Sequence, residues 1–286
     1  MNGKITTFEW RVDHFSLDQI AESGQTFRWR RRGPESYAIP AGDHYCVAYM
    51  TAPDRLAVRC REGLAAWWRY YFGLGDEYPE YWRAIETWAE RDGPDAYLTR
   101  AAEAASGMAI LHQPTWETMA SYMVSQNNNI PRIKATVEKL CRRFGKHITT
   151  PDGDEYFTFP EPGLLCDVND LQGLGLGYRD KYLAGMAQAV AHGGIDPANL
   201  LAMDYDRAKA VLKAVPGIGE KVANCILLYG MGHLEAFPVD TWIRRVLDRE
   251  FRDGFPAERY AGFTGLVQQI IFYYEREVMN NARNKN

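Results

Sequence analysis

The chain has 286 residues, 46% hydrophobic and 24% charged. This fits one large or two modest folded domains and excludes collagen-like, low-complexity and extensively disordered chains. The formal net charge of −4, taken alone, speaks against a nucleic-acid partner, which usually leaves a basic footprint. Residues 1 to about 60 read as β-rich, with segments 26–30, 37–40, 45–50 and 55–60 holding aromatic and β-branched residues between Gly, Pro and Asp breaks. Gly33-Pro34 and Ala41-Gly42-Asp43 read as hairpin turns. After Gly63 the spacing becomes helical: Trp67, Tyr70, Tyr71 and Leu74 fall at i, i+3, i+4 and i+7. Further helices are expected over about 79–91, 94–105, 115–126, 131–144, 179–192, 205–213, 219–230, 240–250 and 257–278. Segment 147–162 is rich in Pro, Asp and Thr and reads as a loop. The predicted fold class is α+β. An N-terminal antiparallel β-sheet domain (1–106) precedes a larger helical domain (107–286), whose C-terminal helix is free to pack back on the first.

Apolar runs are far shorter than the roughly 20 residues of a membrane span. The first ten residues lack an apolar stretch, so no secretory signal is expected. The five cysteines (Cys46, Cys60, Cys141, Cys166 and Cys225) are scattered and odd in number. That pattern suits reduced thiols in a cytoplasmic protein. No CxxC pair occurs, which argues against zinc ribbons and Cys-ligated iron–sulfur clusters. The six histidines are also dispersed, so no side-chain metal site is expected.

The sharpest segment is Leu212-Lys213-Ala214-Val215-Pro216-Gly217-Ile218-Gly219-Glu220-Lys221. A helix ends, a Pro-Gly-x-Gly turn follows, and a second helix starts. Glycine permits positive φ and lets a phosphate approach bare backbone. The next helix N-terminus offers free N–H groups to that phosphate. The segment is either a DNA-gripping helix-hairpin-helix or a plain helical hairpin with glycine caps, and spacing alone leaves both open. Gly173, Gly175 and Gly177 do not make a dinucleotide fingerprint, because Tyr178 stands where its last glycine is required.

Lys221 begins the second hairpin helix. A lysine amine is a nucleophile only when neutral, and a desolvated site at a positive helix end favours that form. Nineteen residues on, Asp240 in Phe237-Pro238-Val239-Asp240 reads as the N-cap of a helix through Trp242 and Val246. A capping carboxylate near a neutral lysine can also act on a developing sugar cation.

These residues resemble the helix-hairpin-helix DNA glycosylases, and within them the 8-oxoguanine DNA glycosylase/lyases. Four blocks carry the resemblance in order: Ser23-Gly24-Gln25-Thr26-Phe27-Arg28-Trp29, Ser125-Gln126-Asn127-Asn128-Asn129-Ile130, Leu174-Gly175-Leu176-Gly177-Tyr178-Arg179 and Val215-Pro216-Gly217-Ile218-Gly219. It spans about Phe15 to Arg276. It implies a bifunctional enzyme that flips 8-oxoguanine out of double-stranded DNA. The Lys221 amine then attacks the sugar C1′, a Schiff base forms, and β-elimination nicks the strand. Asp240 is implied to assist Lys221 and to stabilise the sugar cation.

The resemblance further implies that the Gly24 carbonyl accepts the N7–H of the oxidised base. Phe272 and Cys225 would sandwich that base, Gln268 would bond its Watson–Crick edge, and Pro238 would line the pocket. Asn127 would fill the vacated space, Arg132 and Arg179 would contact the orphaned cytosine, and Tyr178 would wedge into the stack. Gly217 and Gly219 would meet DNA phosphate. No organic cofactor is implied, although a monovalent or calcium ion could sit on hairpin carbonyls. A nucleoid-associated monomer is expected. Trp242 departs from the His that eukaryotic members carry, and this, with the compact chain, resembles the bacterial clostridial-type subgroup. The competing readings are a glycosylase of this superfamily for another damaged base and a non-catalytic DNA-binding hairpin.

The charge is unevenly spread. Residues 125–147 hold six cations (Arg132, Lys134, Lys139, Arg142, Arg143, Lys146) against the acid Glu138, and Arg28, Arg30, Arg31 and Arg32 cluster beside Gly24. Residues 148–178 hold six acids and no Lys or Arg. Each run also reads as a solvated face, the favoured reading for Arg30–Arg32, yet the positive segments coincide with the blocks assigned to DNA, so the expectation is a basic concave face on an acidic body.

Overall fold

The computed structural model describes residues 4–75 and 77–279; residues 280–286 of the expected second domain lie outside it. The N-terminal part is an antiparallel sheet. Its strands are β1 (Ile5–Arg11), β2 (Arg30–Gly33), β3 (Ser36–Ala41), β4 (His44–Ala52) and β5 (Arg55–Arg61), in the order β1-β5-β4-β3-β2. Helix α1 (Leu17–Glu22) interrupts β1 and β2, with Ser16 Oγ accepting from Gln19 N as its cap. Helices α2 (Ala65–Tyr71), α3 (Tyr78–Asp92) and α4 (Tyr97–Ala104) follow.

The helical part begins with α5 (Thr115–Ser125), which is buried from Glu117 onward. Then come α6 (Ile130–Phe144), a short hairpin of β6 (His147–Thr149) and β7 (Glu155–Phe157), and α7 (Arg179–Ala191). Helices α8 (Pro197–Leu201), α9 (Tyr205–Lys213), α10 (Glu220–Met231), α11 (Thr241–Glu250) and α12 (Thr264–Tyr273) complete it, and a π-helical turn continues to Met279. Helices α5 and α10 cross at the centre. A Cβ added at Gly230 would lie 2.9 Å from Thr118 Cβ, so glycine allows the close approach. The C-terminal elements lie against the first part: Tyr97 Oη donates to Glu275 at 3.0 Å, and Arg259 pairs with Asp92 at 2.9 Å.

Three local expectations change. The second strand lies at Arg30–Gly33, not 26–30, because Arg28 and Trp29 turn inward to Glu117 and Tyr71 and leave the ladder. Segment 147–162 carries the β6–β7 hairpin. The helix expected over 257–278 is broken: a 3-10 turn ends at Tyr260, Gly262 has φ +87°, and α12 starts afresh at Thr264.

Candidate active site

Helix α9 ends at Lys213, and Gly217 turns the chain with φ +91°. A Cβ at Gly217 would lie 2.7 Å from Tyr182 Cγ, so both backbone and packing require glycine. Gly219 differs. It is the extended N-cap of α10, has no side-chain cap, and a Cβ there would meet nothing within 4 Å. The N-terminus of α10 therefore lacks a side-chain cap, and no Cβ crowds its approach at Gly219.

Three lysines surround this turn. Lys209 and Lys213 both bind Glu220, at 2.5 and 2.8 Å, and these contacts hold its carboxyl down to about 2. Lys221 makes no ion pair among the described residues, and its ammonium lies 5.5 Å over the Tyr122 ring. Asp240 caps α11 through Oδ1, which accepts from Trp242 N at 2.9 Å and Ile243 N at 2.8 Å. Its Oδ2 takes no hydrogen bond among the described residues and remains available for chemistry.

Lys221 and Asp240 share a cavity of about 50 Å³ with Gly24, Cys225, Pro238, Gln268 and Phe272, so every expected catalytic and base-binding residue lines one pocket. Ser23, Tyr122, Tyr229 and Gln269 complete the lining. Ser23 lies in the block that carries the resemblance but was given no role; no motif marked the other three, and the one signal is a polar Gln269 in an apolar helix. Burial pushes the Cys225 thiol up, against the pull of Lys221, so it presents a neutral surface. Gln268 Oε1 is buried without a hydrogen-bond partner, an acceptor that calls for a donor on a ligand. A Cβ at Gly24 would lie 3.3 Å from Phe272 Cε1, so the Gly24 backbone packs closely on that ring. A wider cleft of about 430 Å³ lies beside the β6–β7 hairpin. There Arg59 is paired with Asp152 and Asp154, and burial raises the Cys60 thiol to about 11, so it offers no nucleophile.

The second cluster flanks α6. Asn127 is exposed with φ +45°, and its Nδ2 donates to Tyr178 Oη at 3.1 Å. Asn129 caps α6 by accepting from Arg132 N at 3.0 Å, and Pro131 follows in the first turn. Arg132 is exposed and makes no ion pair among the described residues. Arg179 is buried. It donates to Gln126 O at 2.6 Å, Leu176 O at 2.9 Å and Asn127 O at 2.9 Å. Arg179 thus braces the Asn127 loop, with two of its five N–H groups left over. Trp242 is half-buried, and the Arg245 guanidinium lies 5.7 Å over its ring.

The arginine cluster beside Gly24 does not form the expected basic face. Arg28 is buried on Glu117 at 2.9 Å. Arg30 pairs with Glu138 at 2.8 Å, Arg31 with Asp18 at 2.9 Å and Glu22 at 3.0 Å, and Arg32 with Asp154. Each charge is neutralised locally. Among the described residues no group of His, Cys, Asp and Glu could hold a metal ion, and no helix is long and apolar enough to cross a membrane.

Comparison with known proteins agrees with this geometry. Residues 8–119 match the 8-oxoguanine DNA glycosylase N-terminal domain, and residues 120–254 the HhH-GPD superfamily of base excision DNA repair proteins. The N-glycosylase/DNA lyase OGG1 of Arabidopsis thaliana is 30% identical over 84% of this chain and 67% of its own. The structure of MBOgg1 with a low-affinity DNA ligand is 32% identical, with a TM-score of 0.86 over 98% of this chain and 100% of that one. The Clostridium acetobutylicum 8-oxoguanine glycosylase/lyase, bound to DNA with cytosine opposite 8-oxoG, is 26% identical, with a TM-score of 0.83 over 98% and 100%. With its two parts matched in order and 98% of its length overlaid on such structures, the chain belongs to the 8-oxoguanine DNA glycosylases of the HhH-GPD superfamily.

Proposed function

We propose that this protein excises 8-oxoguanine from double-stranded DNA and then nicks the strand as an abasic-site lyase. The observation that carries this reading is one pocket holding a lysine without an ion pair among the described residues, a capping carboxylate and an orphaned buried acceptor. The Lys221 amine attacks C1′ as the N-glycosidic bond breaks, and the base leaves with the bonding electrons. The Oδ2 edge of Asp240 takes up the amine proton and stabilises the sugar cation. Ring opening gives a Schiff base between Lys221 and C1′, and loss of the C2′ proton expels the 3′ phosphate.

Gly24 O accepts the lesion's N7–H, Gln268 meets the Watson–Crick edge, and Cys225, Pro238 and Phe272 enclose the ring. Arg132 contacts the opposite cytosine and gives a preference for it. Arg179 holds the Asn127 loop in place, and its two remaining N–H groups are the donors it has left for the same base. Asn127 and Tyr178 occupy the vacated stack, and α10 grips a phosphate through Gly219. No step needs an organic cofactor. None runs through an ion at the hairpin, where the Val215 and Gly219 carbonyls each accept one hydrogen bond, from Ile218 N and Ala223 N, and keep a second lone pair.

Borohydride trapping on an 8-oxoguanine:cytosine duplex tests the reading. A covalent complex is expected from the unmodified chain and none from Lys221→Gln. DNA binding without any trapped species would leave only a binding protein, and equal cleavage opposite all four bases would remove the cytosine preference.

A further inference from the structure

Three consecutive backbone carbonyls of the Gly24 loop each accept a hydrogen bond from a distant side chain. Gln269 Nε2 on α12 donates to Ser23 O. Tyr122 Oη on α5 shares its proton between Gly24 O at 3.2 Å and Gln25 O at 3.4 Å. Gln113 Nε2 donates to Gln25 O at 2.7 Å. The brace extends further, because Tyr229 Oη on α10 donates to Gln269 Oε1 and so fixes which end of that amide faces Ser23. The Tyr122 and Tyr229 rings stack with centroids 5.5 Å apart. Gln269 and Ser23 are each 1% exposed, so water does not compete for these contacts. Burial pushes both tyrosine hydroxyls well above their ordinary value, so both keep the proton they donate.

The consequence lies at Gly24. Guanine and 8-oxoguanine differ at N7, an acceptor in one and a donor in the other. A carbonyl free to rotate would satisfy the lesion yet swing away from the N7 lone pair of guanine. A fixed carbonyl cannot avoid that repulsion. Tyr122 occupies one lone pair of Gly24 O, and the second remains for the base. Gly24 has φ +77°, a backbone state that its own residue type leaves easily, so the rigidity must come from its neighbours.

We propose that Gln269, Tyr229 and Tyr122 are positioning residues that hold the Gly24 carbonyl as a rigid acceptor and thereby set discrimination between 8-oxoguanine and guanine. This rests on the assignment of Gly24 under the proposed function. The test compares two substrates. Gln269→Leu is assayed on an 8-oxoguanine:cytosine duplex and on a preformed abasic site opposite cytosine, where no base contacts Gly24. Base excision is expected to fall about tenfold or more, the size of one lost buried hydrogen bond, with abasic cleavage changed less than about twofold. The ratio of 8-oxoguanine to guanine binding by a catalytically inert Lys221→Gln background should shrink with it.

Tyr229→Phe keeps the ring stack and removes one hydroxyl, so it decides the matter if Gln269→Leu does not fold. It should show the same split, reduced in size. Equal loss on both substrates would reduce the network to a fold brace and overturn the proposal, as would unchanged excision in both variants. No excision of 8-oxoguanine by the unmodified chain would instead sink the functional reading itself.

Discussion

Two basic regions of this molecule look alike in sequence and behave in opposite ways. Arg28, Arg30, Arg31 and Arg32 form the densest cationic run, and every one meets a carboxylate. Arg132, in the basic segment 125–147, and Lys221, beside Lys209 and Lys213, make no ion pair among the described residues. The difference teaches that the field at a surface follows the unpaired charges, not the local count of arginines. The neutralising acids Glu117, Glu138 and Asp154 lie 89, 108 and 122 residues away from their partners. The hairpin repeats the lesson on a small scale: Glu220 holds Lys209 and Lys213 and leaves Lys221 free for chemistry.

The comparison breaks most visibly at its structural end. Arg28→Met leaves Glu117 buried without its cation, and Gly42 N, which donates to the same carboxylate at 2.7 Å, cannot replace that charge. Denaturant unfolding should show a loss of about 3–5 kcal/mol. A loss under about 1 kcal/mol would mean that the Arg28–Glu117 pair adds no net stability.

Asp240→Asn sharpens the other end. Asparagine caps a helix about as well as aspartate, so the fold should survive, while removal of the charge should slow 8-oxoguanine excision about a hundredfold or more. Single-turnover kinetics beside a thermal melt separate the two. Wild-type rates would make Asp240 a cap alone.

Paired and unpaired arginines should then differ in DNA binding. Arg132→Ala is expected to reduce the slope of log affinity against log salt by about one and to weaken the preference for cytosine. Arg31→Ala should leave both unchanged, since its charge already meets Asp18 and Glu22. A salt titration that ranks them in reverse would refute the distinction.

The smallest effect concerns Glu220. Its carboxyl titrates at about 2 in the folded chain against an ordinary 4.5. A depressed folded value means that the stabilisation is complete above pH 4.5 and is lost as pH falls through about 2. The stability gap between wild type and Glu220→Gln should therefore close over that window. It should stay under about 1 kcal/mol, because the side chain is more than half exposed. A gap that widens on acidification would contradict the pairing.

Much of the fold was legible because it is local. The α9 span 205–213, the Asp240 cap and the Asn129-Ile130-Pro131 helix start follow from capping and periodicity within a few residues. The misplaced second strand was illegible for the opposite reason. Thr26, Phe27, Arg28 and Trp29 have the aromatic and β-branched character of a strand, yet they are held by partners in α2 and α5. The break at Gly262 was masked by apolar periodicity on both sides of it.

By itself, the sequence determined the hairpin, the positions of Lys221 and Asp240, and the blocks that mark the family, because spacing along a chain controls helix ends and turns. Only the tertiary structure decided which cations remain unpaired, that Arg179 turns inward to its loop, and that Gln269 reaches a carbonyl 246 residues away. Ion pairs and buried hydrogen bonds depend on what folding brings together. The net charge of −4 therefore described the composition of the chain and said little about the surface it offers to DNA.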